Sequence, residues 1–341
     1  MERGMMPMNT LKPRSARISG SGHFCPDKIL TNADLEKIVD TTDEWITTRT
    51  GIKERRIADQ SEACSDLAVR AAERALSMSG VDPADLDAII VGTISGDTQF
   101  PATAVYVQHR MGARNAAAFD VSAACSGFIY AVNIGHGMIA SGQMERVLVI
   151  GAEMLSKVTD WEDRSTCVLF GDGAGAVVME ACPLGEGILS ARMKSDGSLA
   201  DLLIIPGGGT RKPLTSASFS EREQFIRMKG DGVFKYAVRA MADATRAGLE
   251  EAGMTIDDID LLVPHQANVR IIDAMNERLK VPREKVVINL DRYGNTSSAS
   301  IPIAYDEAVR EGRVKPGDLV VLTGFGGGFT WGSVVFRNSL G

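Results

Sequence analysis

The sequence predicts an α/β protein with mostly buried strands, and two observations support this prediction. Short runs of Val, Ile and Leu alternate with longer segments of helical periodicity along the 341 residues. The chain also repeats a helix–strand unit about half a chain apart, which indicates two similar halves. With 44% hydrophobic and 24% charged residues, the composition is that of a folded chain with a substantial core, and it excludes a disordered chain.

Seven apolar runs have the features of strands. Each run is short, rich in branched side chains and bounded by turn-forming residues, which favours a buried strand over a helix. The predicted strands cover residues 86–91, 116–121, 147–150, 175–179, 259–263, 286–290 and 319–322.

The repeat consists of matching helix–strand units. Residues 68–80 and 237–253 each predict a helix that ends at a glycine, and an Asp-rich turn and an apolar run follow both. Further along, MERVLVIGAE (144–153) and GDLVVLTGFG (317–326) occupy corresponding places. Chance similarity between two amphipathic helices is the alternative, but three elements in the same order favour duplication.

The duplication predicts two halves. We expect an N-terminal half over residues 16–182 and a C-terminal half over 183–341, joined near the Pro/Gly-rich stretch 183–187. Residues 1–15 belong to a basic, Met-rich start that lacks the apolar core of a signal peptide. We expect these residues to be a disordered leader or to result from an early start codon.

Charge and cysteine content exclude several classes of protein. The 37 Lys and Arg residues against 44 Asp and Glu residues give a net charge of −7, with no basic block, which argues against nucleic-acid binding. No apolar run reaches the roughly 18 residues of a membrane span. The five cysteines form no C-x-x-C pair and have no histidine at metal-ligand spacing, so we expect free thiols, no metal site and a reducing cytoplasmic location.

Cys125 is the strongest candidate for a nucleophile. It lies between the predicted strand 116–121 and an apolar helix that ends near Gly142, so it sits at the N-terminal end of a buried helix. The partial positive charge there predicts a lowered thiol pKa. A structural cysteine filling a strand–helix corner is the alternative, but the small residues around Cys125 leave space for a ligand.

His265 and Asn295 are the candidate partners of Cys125. Pro264 stops a predicted strand, so His265 projects from the strand's carboxyl end, just before a helix that starts near Asn268. Asn295 follows the predicted strand 286–290, again before a helix; a turn or a helix cap is its simpler interpretation.

Two glycine-rich segments give weaker evidence for a ligand-binding site than the three residues above. The loop TGFGGGFTWG (323–332) lets backbone approach a ligand and aim N–H groups at an oxyanion, although a flexible hairpin explains it equally well. GDGAGA (171–176) is similar to a dinucleotide fingerprint, but a strand-like segment follows it instead of a helix.

Four motifs together are similar to one enzyme family. DVSAACSGFIYA, VPHQANVRII, GNTSSAS and GFGGGFTWGS resemble the thiolase superfamily and, within it, β-ketoacyl-[acyl-carrier-protein] synthase III, which initiates type II fatty-acid synthesis. Residues 31–52 and GDGAGA resemble the family too. The whole resemblance extends from about residue 16 to the C-terminus. The resemblance implies a thiolase-like, five-layered αβαβα fold made of two duplicated βαβαβαββ halves, usually as a homodimer.

The resemblance also implies a reaction. Cys125 would take the acyl group from an acyl-CoA thioester, and the N–H groups of Cys125 and Gly327 would form the oxyanion hole. His265 and Asn295 would donate hydrogen bonds to malonyl-[acyl-carrier-protein] as CO₂ leaves, and the resulting carbanion would attack the acyl-Cys. No cofactor is implied, because coenzyme A thioesters enter as substrates.

Further residues match the family's binding positions. By resemblance, Trp45 and Arg164 would sandwich the CoA adenine, and Phe100 would reach into the partner subunit's acyl pocket, whose depth also depends on Leu155. The remaining matches for CoA, pantetheine or the decarboxylation site are Arg49, Thr50, Asn268, Arg270 and Phe325. The matches for a basic face that docks the acidic acyl carrier protein are Lys235, Arg270 and Arg278.

Several rival functions remain open on the sequence. A cysteine thioester hydrolase would use the same order of Cys, His and Asn, although the local signature of papain-like enzymes is missing. A condensing enzyme of secondary metabolism and an inactive scaffold that binds carrier protein are further alternatives. Elongating synthases need a second histidine after His265, and non-decarboxylating thiolases need a cysteine after Cys182; the chain has neither.

Overall fold

The computed structural model describes residues 14–341. The strands are β1 (Arg14–Phe24), β2 (Ile29–Thr31), β3 (Glu54–Arg56), β4 (Ala88–Gly92), β5 (Ala117–Val121), β6 (Arg146–Met154), β7 (Asp172–Pro183), β8 (Ile188–Ser195), β9 (Leu203–Ile204), β10 (Arg227–Met228), β11 (Leu261–Pro264), β12 (Leu319–Gly326) and β13 (Thr330–Arg337). The helices are α1 (Asn32–Leu35), α2 (Asp43–Thr50), α3 (Cys64–Ser79), α4 (Thr103–Met111), α5 (Gly127–Ala140), α6 (Arg164–Cys167), α7 (Ser216–Ser220), α8 (Gly230–Glu251), α9 (Val269–Leu279), α10 (Leu290–Tyr293) and α11 (Ser300–Arg310).

Two large sheets have matching topologies. The first has the order β1-β7-β6-β4-β5, and the second has the order β8-β13-β12-β11. In both, the parallel strands of βαβ units are followed across the sheet by two antiparallel strands, and the edge strand, β1 or β8, comes first along the chain. The duplication expected from the repeated helix–strand units therefore has a structural counterpart in equivalent strand orders.

Helices fill the layers around and between the sheets. α5 and α11 pack between the two sheets, α3 and α4 cover the outer face of the first, and α8 and α9 cover the outer face of the second. The amphipathic α3 and α8 each bury one face and end next to a left-handed glycine, Gly80 or Gly253. The result is the predicted five-layered αβαβα fold.

The first strand starts earlier than expected. Arg14 and Ser15, assigned above to the leader, pair with Cys182 and Pro183 of β7, while residues 1–13 lie outside the described range. The Arg14 guanidinium donates to carbonyls at the end of α5, with Nε 2.6 Å from the Ile139 oxygen. These bonds to buried backbone explain why a basic residue begins the strand.

The predicted strand 286–290 is wrong, whereas the other six predicted strands lie within or overlap observed ones. The segment makes one bridge, Leu262 to Val286, and then turns into α10. The Gln266 amide takes over the pairing: its Nε2 donates to the Val287 carbonyl at 3.0 Å, and its Oε1 accepts from the Asn289 N–H at 3.0 Å. A side chain thus replaces the neighbouring strand.

The glycine-rich segment is a tight hairpin and not a long loop. β12 continues through Gly326 and β13 begins at Thr330, so only residues 327–329 form the tip. Gly328 at the tip has φ +72°, a conformation that suits glycine. No helix within residues 14–341 has the length and apolar character needed to cross a membrane.

Candidate active site

Both halves of the chain line one cavity of about 830 Å³ that receives the three residues expected to carry the chemistry. Cys125 comes from the N-terminal half, and His265 and Asn295 come from the C-terminal half. Other lining residues singled out by the sequence are Trp45, Arg49, Thr50, Leu155, Lys235, Asn268, Arg270, Phe325 and Gly327.

Cys125 lies in a short 3-10 turn between β5 and α5, at the start of the buried helix as predicted. The residue before it, Ala124, has φ +45°, a left-handed conformation that is unfavourable for alanine. The equivalent turn before α11 holds Ser297 at φ +47°. Each half therefore presents a strained turn to the cavity, and the first of them carries the thiol.

The predicted lowering of the Cys125 pKa is wrong. Burial raises the pKa of this thiol to about 12, the charge of Glu153 raises it further, and only the Ser297 hydroxyl and a backbone N–H lower it. The free energy needed to remove a thiolate from water is larger here than the stabilisation that the helix N-terminus provides. The thiol is therefore neutral in the free protein and needs a proton acceptor before it can react.

The hairpin tip packs directly against the Cys125 backbone. A Cβ on Gly326 would lie 2.5 Å from the Cys125 nitrogen and 3.0 Å from the Ser126 nitrogen, so only glycine fits. This close approach brings Gly327, the next residue, to the cavity wall beside the nucleophile. The Cys125 backbone and Gly327 therefore lie on adjacent parts of the cavity wall, as the expected oxyanion hole requires.

His265 is buried and held in one orientation. Its Nδ1 lies 2.6 Å from Ser300 Oγ, which also accepts from the Gln266 N–H at 3.3 Å. Because no other acceptor for the Ser300 hydroxyl hydrogen lies within hydrogen-bond distance in the described residues, we assign that hydroxyl as donor to Nδ1, which leaves the ring proton on Nε2. Burial lowers the pKa of His265 to about 3, so the ring stays neutral and offers Nε2–H as a hydrogen-bond donor.

Asn295 offers a second donor. Its Oδ1 accepts from the Ser297 N–H at 2.9 Å, which leaves the Nδ2 amide group for the cavity. The expected position at the end of a strand is wrong, because α10 precedes Asn295. Instead, the Asn295 backbone bridges to Phe170 of the other half, and its N–H donates to the Leu169 carbonyl at 2.8 Å.

The predicted adenine sandwich is closed in this structure. The guanidinium carbons of Arg164 and Arg49 both lie 4.9 Å from the Trp45 ring centroid. Arg164 also donates to the Asp40 carbonyl at 2.7 Å. A planar ring inserted between Arg164 and Trp45 would need a wider gap than this, so Arg164 has to swing out to admit it.

Three other predicted residues also make contacts that stabilise the fold. The Asn268 side chain caps α9 and donates to the Arg49 carbonyl at 3.0 Å, which joins α9 to the end of α2. The Thr50 hydroxyl bonds two backbone groups of the same turn. Phe325 packs edge to face on Phe329, with ring centroids 5.1 Å apart.

Three of the predicted residues, Phe100, Arg164 and Arg278, are not among those that line this cavity. Phe100 is 89% exposed, and Arg278 is exposed in the last turn of α9. Within residues 14–341 all five cysteines are free, and no group of three or more His, Cys, Asp or Glu side chains is placed to hold a metal ion.

The sequence analysis missed three residues in or beside the site: Ser297, which lines the cavity, and Glu153 and Ser300 behind it. Glu153 is fully buried at the end of β6, and Ser300 orients His265. One signal pointed to Glu153: it is the single charged residue in the otherwise apolar run VLVIGAEML. Ser300 gave no signal, because its role depends on how α11 packs against β11.

Comparisons with known proteins identify the family. Residues 119–197 match the family model for 3-oxoacyl-[acyl-carrier-protein (ACP)] synthase III, and residues 249–338 match the model for its C-terminal part. The beta-ketoacyl-[acyl-carrier-protein] synthase III of Caldanaerobacter subterraneus subsp. tengcongensis is 54% identical over 95% of this chain and 98% of its own. The chain belongs to the β-ketoacyl-[acyl-carrier-protein] synthase III family.

Solved structures agree with this family and its thiolase-like fold. The 3-oxoacyl-[acyl-carrier-protein] synthase III of Aquifex aeolicus superposes with a TM-score of 0.87 at 52% identity, covering 94% of this chain and 99% of that one. The priming β-ketosynthase of the R1128 polyketide pathway has a TM-score of 0.88 at 35% identity, covering 98% and 99%. The chain is thus an acyltransferase-type condensing enzyme of fatty-acid synthesis.

Proposed function

We propose that this enzyme condenses a short acyl-CoA starter with malonyl-[acyl-carrier-protein] to give β-ketoacyl-[acyl-carrier-protein], CO₂ and coenzyme A. The observation that supports it most is the arrangement of one thiol and two neutral hydrogen-bond donors, Cys125, His265 and Asn295, in one cavity. Such a set suits an acyl-thioester intermediate followed by enolate formation.

In the first step, Cys125 Sγ attacks the thioester carbonyl of the acyl-CoA. A bond forms between sulfur and the acyl carbon, and the bond to the CoA sulfur breaks. The tetrahedral oxyanion develops next to the backbone N–H groups of Cys125 and Gly327, whose spacing depends on the close fit of Gly326. The product is an acyl-Cys125 thioester and free coenzyme A.

In the second step, the malonyl thioester carbonyl accepts hydrogen bonds from His265 Nε2–H and the Asn295 amide. Loss of CO₂ leaves its electron pair on the α-carbon as an enolate, which these donors stabilise. The α-carbon then attacks the acyl carbon and expels the Cys125 sulfur. Breaking the C–C bond to the carboxylate generates the carbanion, so no base is needed for carbon deprotonation.

Incubation with acetyl-CoA and malonyl-[acyl-carrier-protein] tests the proposal. We expect an acetyl mass shift on Cys125, followed by release of CO₂ and formation of a β-ketoacyl-carrier protein. Release of acetate without CO₂ would instead identify a thioester hydrolase, and a lack of any acyl adduct would identify an inactive scaffold. A panel of straight and branched acyl-CoA substrates then reports which starter the cavity accepts.

Gly326→Ala is expected to lower the rate of Cys125 acylation by about 10²–10³-fold, because the new Cβ would push the hairpin tip away from the Cys125 N–H. Mass spectrometry of acyl-Cys125 against time measures the rate. Gly137→Ala is the matched control: a Cβ on this exposed α5 glycine meets no atom within 4 Å. Acylation of the Gly326 variant at the parental rate would contradict the oxyanion-hole assignment.

Arg164→Ala is expected to change the KM for acyl-CoA about 10-fold with little change in kcat, because the CoA adenine would lose its cation–π partner. The KM should rise if stacking with adenine dominates and fall if opening the Arg164–Trp45 pair dominates. The matched control is the acyl-pantetheine thioester, which lacks adenine. An unchanged KM for acyl-CoA, or an equal change for both substrates, would remove Arg164 from adenine binding.

We include two partners in the proposal. Lys235 and Arg270 lie at the cavity and Arg278 follows on the same helix as Arg270, so together they offer cations to an acidic carrier protein. The exposed Phe100 ring supports a homodimer in which it enters the partner subunit's acyl pocket. We also propose a cytoplasmic location, because acyl-CoA and acyl carrier protein are cytoplasmic in the bacterial pathway implied by the family.

A further inference from the structure

A buried carboxylate lies behind the nucleophile and is only half satisfied. Glu153 is fully buried, and its Oε2 accepts from Thr93 Oγ1 at 3.3 Å, from the Ile94 N–H at 3.2 Å and from the Ser95 hydroxyl. Its Oε1 has no hydrogen-bond partner within residues 14–341. A buried oxygen without a partner is unfavourable unless it has a use or a ligand.

The Ser297 hydroxyl is close to this carboxylate and to the thiol, and Ser297 lines the same cavity as Cys125. It is close enough to both to lower the pKa of Glu153 and the pKa of Cys125, yet its oxygen has no well-aligned partner in the described chain. The left-handed turn at Ser297 and the bond from its N–H to Asn295 Oδ1 hold it there. A hydroxyl close to both an acid and a thiol can pass a proton in either direction.

His265 is a poor acceptor for the thiol proton. Its Nδ1 is occupied by Ser300, and its Nε2 already carries the ring proton. Burial also lowers the pKa of His265 to about 3, whereas burial raises the pKa of Glu153 to about 7. The carboxylate is therefore better matched than the imidazole to a proton that must be taken up and returned near neutral pH.

We propose that Glu153 takes the Cys125 thiol proton through the Ser297 hydroxyl during acylation, stores it in the acyl-enzyme and returns it to the sulfur during condensation. The proposal rests on the proposed function. In acylation, the thiol, the Glu153 carboxylate and acyl-CoA become acyl-Cys125, the Glu153 carboxylic acid and the CoA thiolate, which takes a proton from solvent. In condensation, the acid protonates the expelled sulfur and becomes a carboxylate again.

Among the titratable groups in this part of the structure, Glu153 is the group that titrates near neutral pH. The two thiols that sense its charge are Cys125, from the turn before α5, and Cys64, from the start of α3. Burial raises the pKa of both thiols well above the neutral range. The remaining neighbours are the hydroxyl and N–H groups of residues 93–95, the Ser297 hydroxyl and the Ser298 N–H.

Infrared difference spectroscopy of the whole enzyme, with and without acetyl-CoA, provides the first test. At a pH above 7, acylation should add the C=O stretch of one protonated carboxyl group. Mass spectrometry of the same samples reports acetyl-Cys125. If wild-type enzyme gains no acetyl group, the proposed function fails; if it gains the acetyl group without the carboxyl band, only the proton relay fails.

Two variants locate the relay. Glu153→Gln should acylate about 10²-fold more slowly, lose the carboxyl band and lose the rise of acylation rate with pH near 7. Ser297→Ala should slow acylation about 10-fold or more but keep the carboxyl band. Glu153 can still hold the proton in this variant, and only the hydroxyl that transfers the proton is lost. Ala124, at φ +45° in the equivalent turn, indicates that alanine tolerates this conformation.

Cys64→Ala is the matched control, since Cys64 is the second thiol that senses Glu153. This variant should keep the wild-type rate, pH profile and carboxyl band. Wild-type acylation rates and pH profiles in both Glu153→Gln and Ser297→Ala would overturn the relay. If Glu153→Gln fails to fold by circular dichroism, the wild-type infrared difference and the Ser297→Ala rate decide the question.

Discussion

Replacement of Cys125 by serine is expected to lower acyl transfer and condensation by about 10⁴-fold or more. The hydroxyl has a much higher pKa than the thiol in the same buried turn, so the nucleophile is almost never generated. The absence of an acyl mass shift on the protein and of β-ketoacyl product would establish this. Circular dichroism separates loss of the nucleophile from loss of the fold.

Cys125→Ala is the companion variant. It should also fail to condense, but it should keep some decarboxylation of malonyl-[acyl-carrier-protein], because His265 and Asn295 still reach the carbonyl. Release of CO₂ without any β-ketoacyl product is the expected signature. Normal product formation by either Cys125 variant would refute the assignment of this residue as nucleophile.

His265→Ala and Asn295→Ala are each expected to lower CO₂ release by about 10²–10³-fold while leaving acyl-Cys125 detectable by mass spectrometry. Each change removes one of the two donors that we propose for the malonyl carbonyl. Because His265 is already neutral, its pKa of about 3 predicts no loss of the donor between mildly acid and mildly alkaline pH.

A histidine elsewhere provides the control for these two variants. His109 is exposed on α4, so His109→Ala should leave both CO₂ release and acylation unchanged. Release of CO₂ at the parental rate by His265→Ala or Asn295→Ala would contradict the role of that residue. A loss of acyl-Cys125 in the same variants would place the residue in the first step instead.

Local sequence predicts most of the fold because the strands are short apolar runs between clear turns. β4, β6 and β12 illustrate this, since nearly every residue in these strands is buried. The run at 286–290 failed for a reason outside the run: Gln266, on a different segment, occupies its hydrogen-bonding groups. Periodicity within a segment carries no information about such a distant competitor.

Some features of the candidate site could likewise be predicted from local sequence, and others could not. Strand ends and small residues pointed to Cys125, His265 and Asn295, and all three line one cavity. The pKa of Cys125 could not be predicted, because it depends on how completely both halves bury the thiol. Glu153 was missed because its role needs Ser297, a residue far away in the chain, to lie beside it.

The left-handed turn of the N-terminal half carries the thiol, whereas His265, Asn295 and Ser297 come from the C-terminal half, so neither half of the chain holds the proposed centre alone. A small shift of one half against the other would separate the Cys125 sulfur from these three side chains, while each hydrophobic layer stayed intact. The catalytic rate should therefore respond to a change in how the two halves pack together, even where the helix content stays the same.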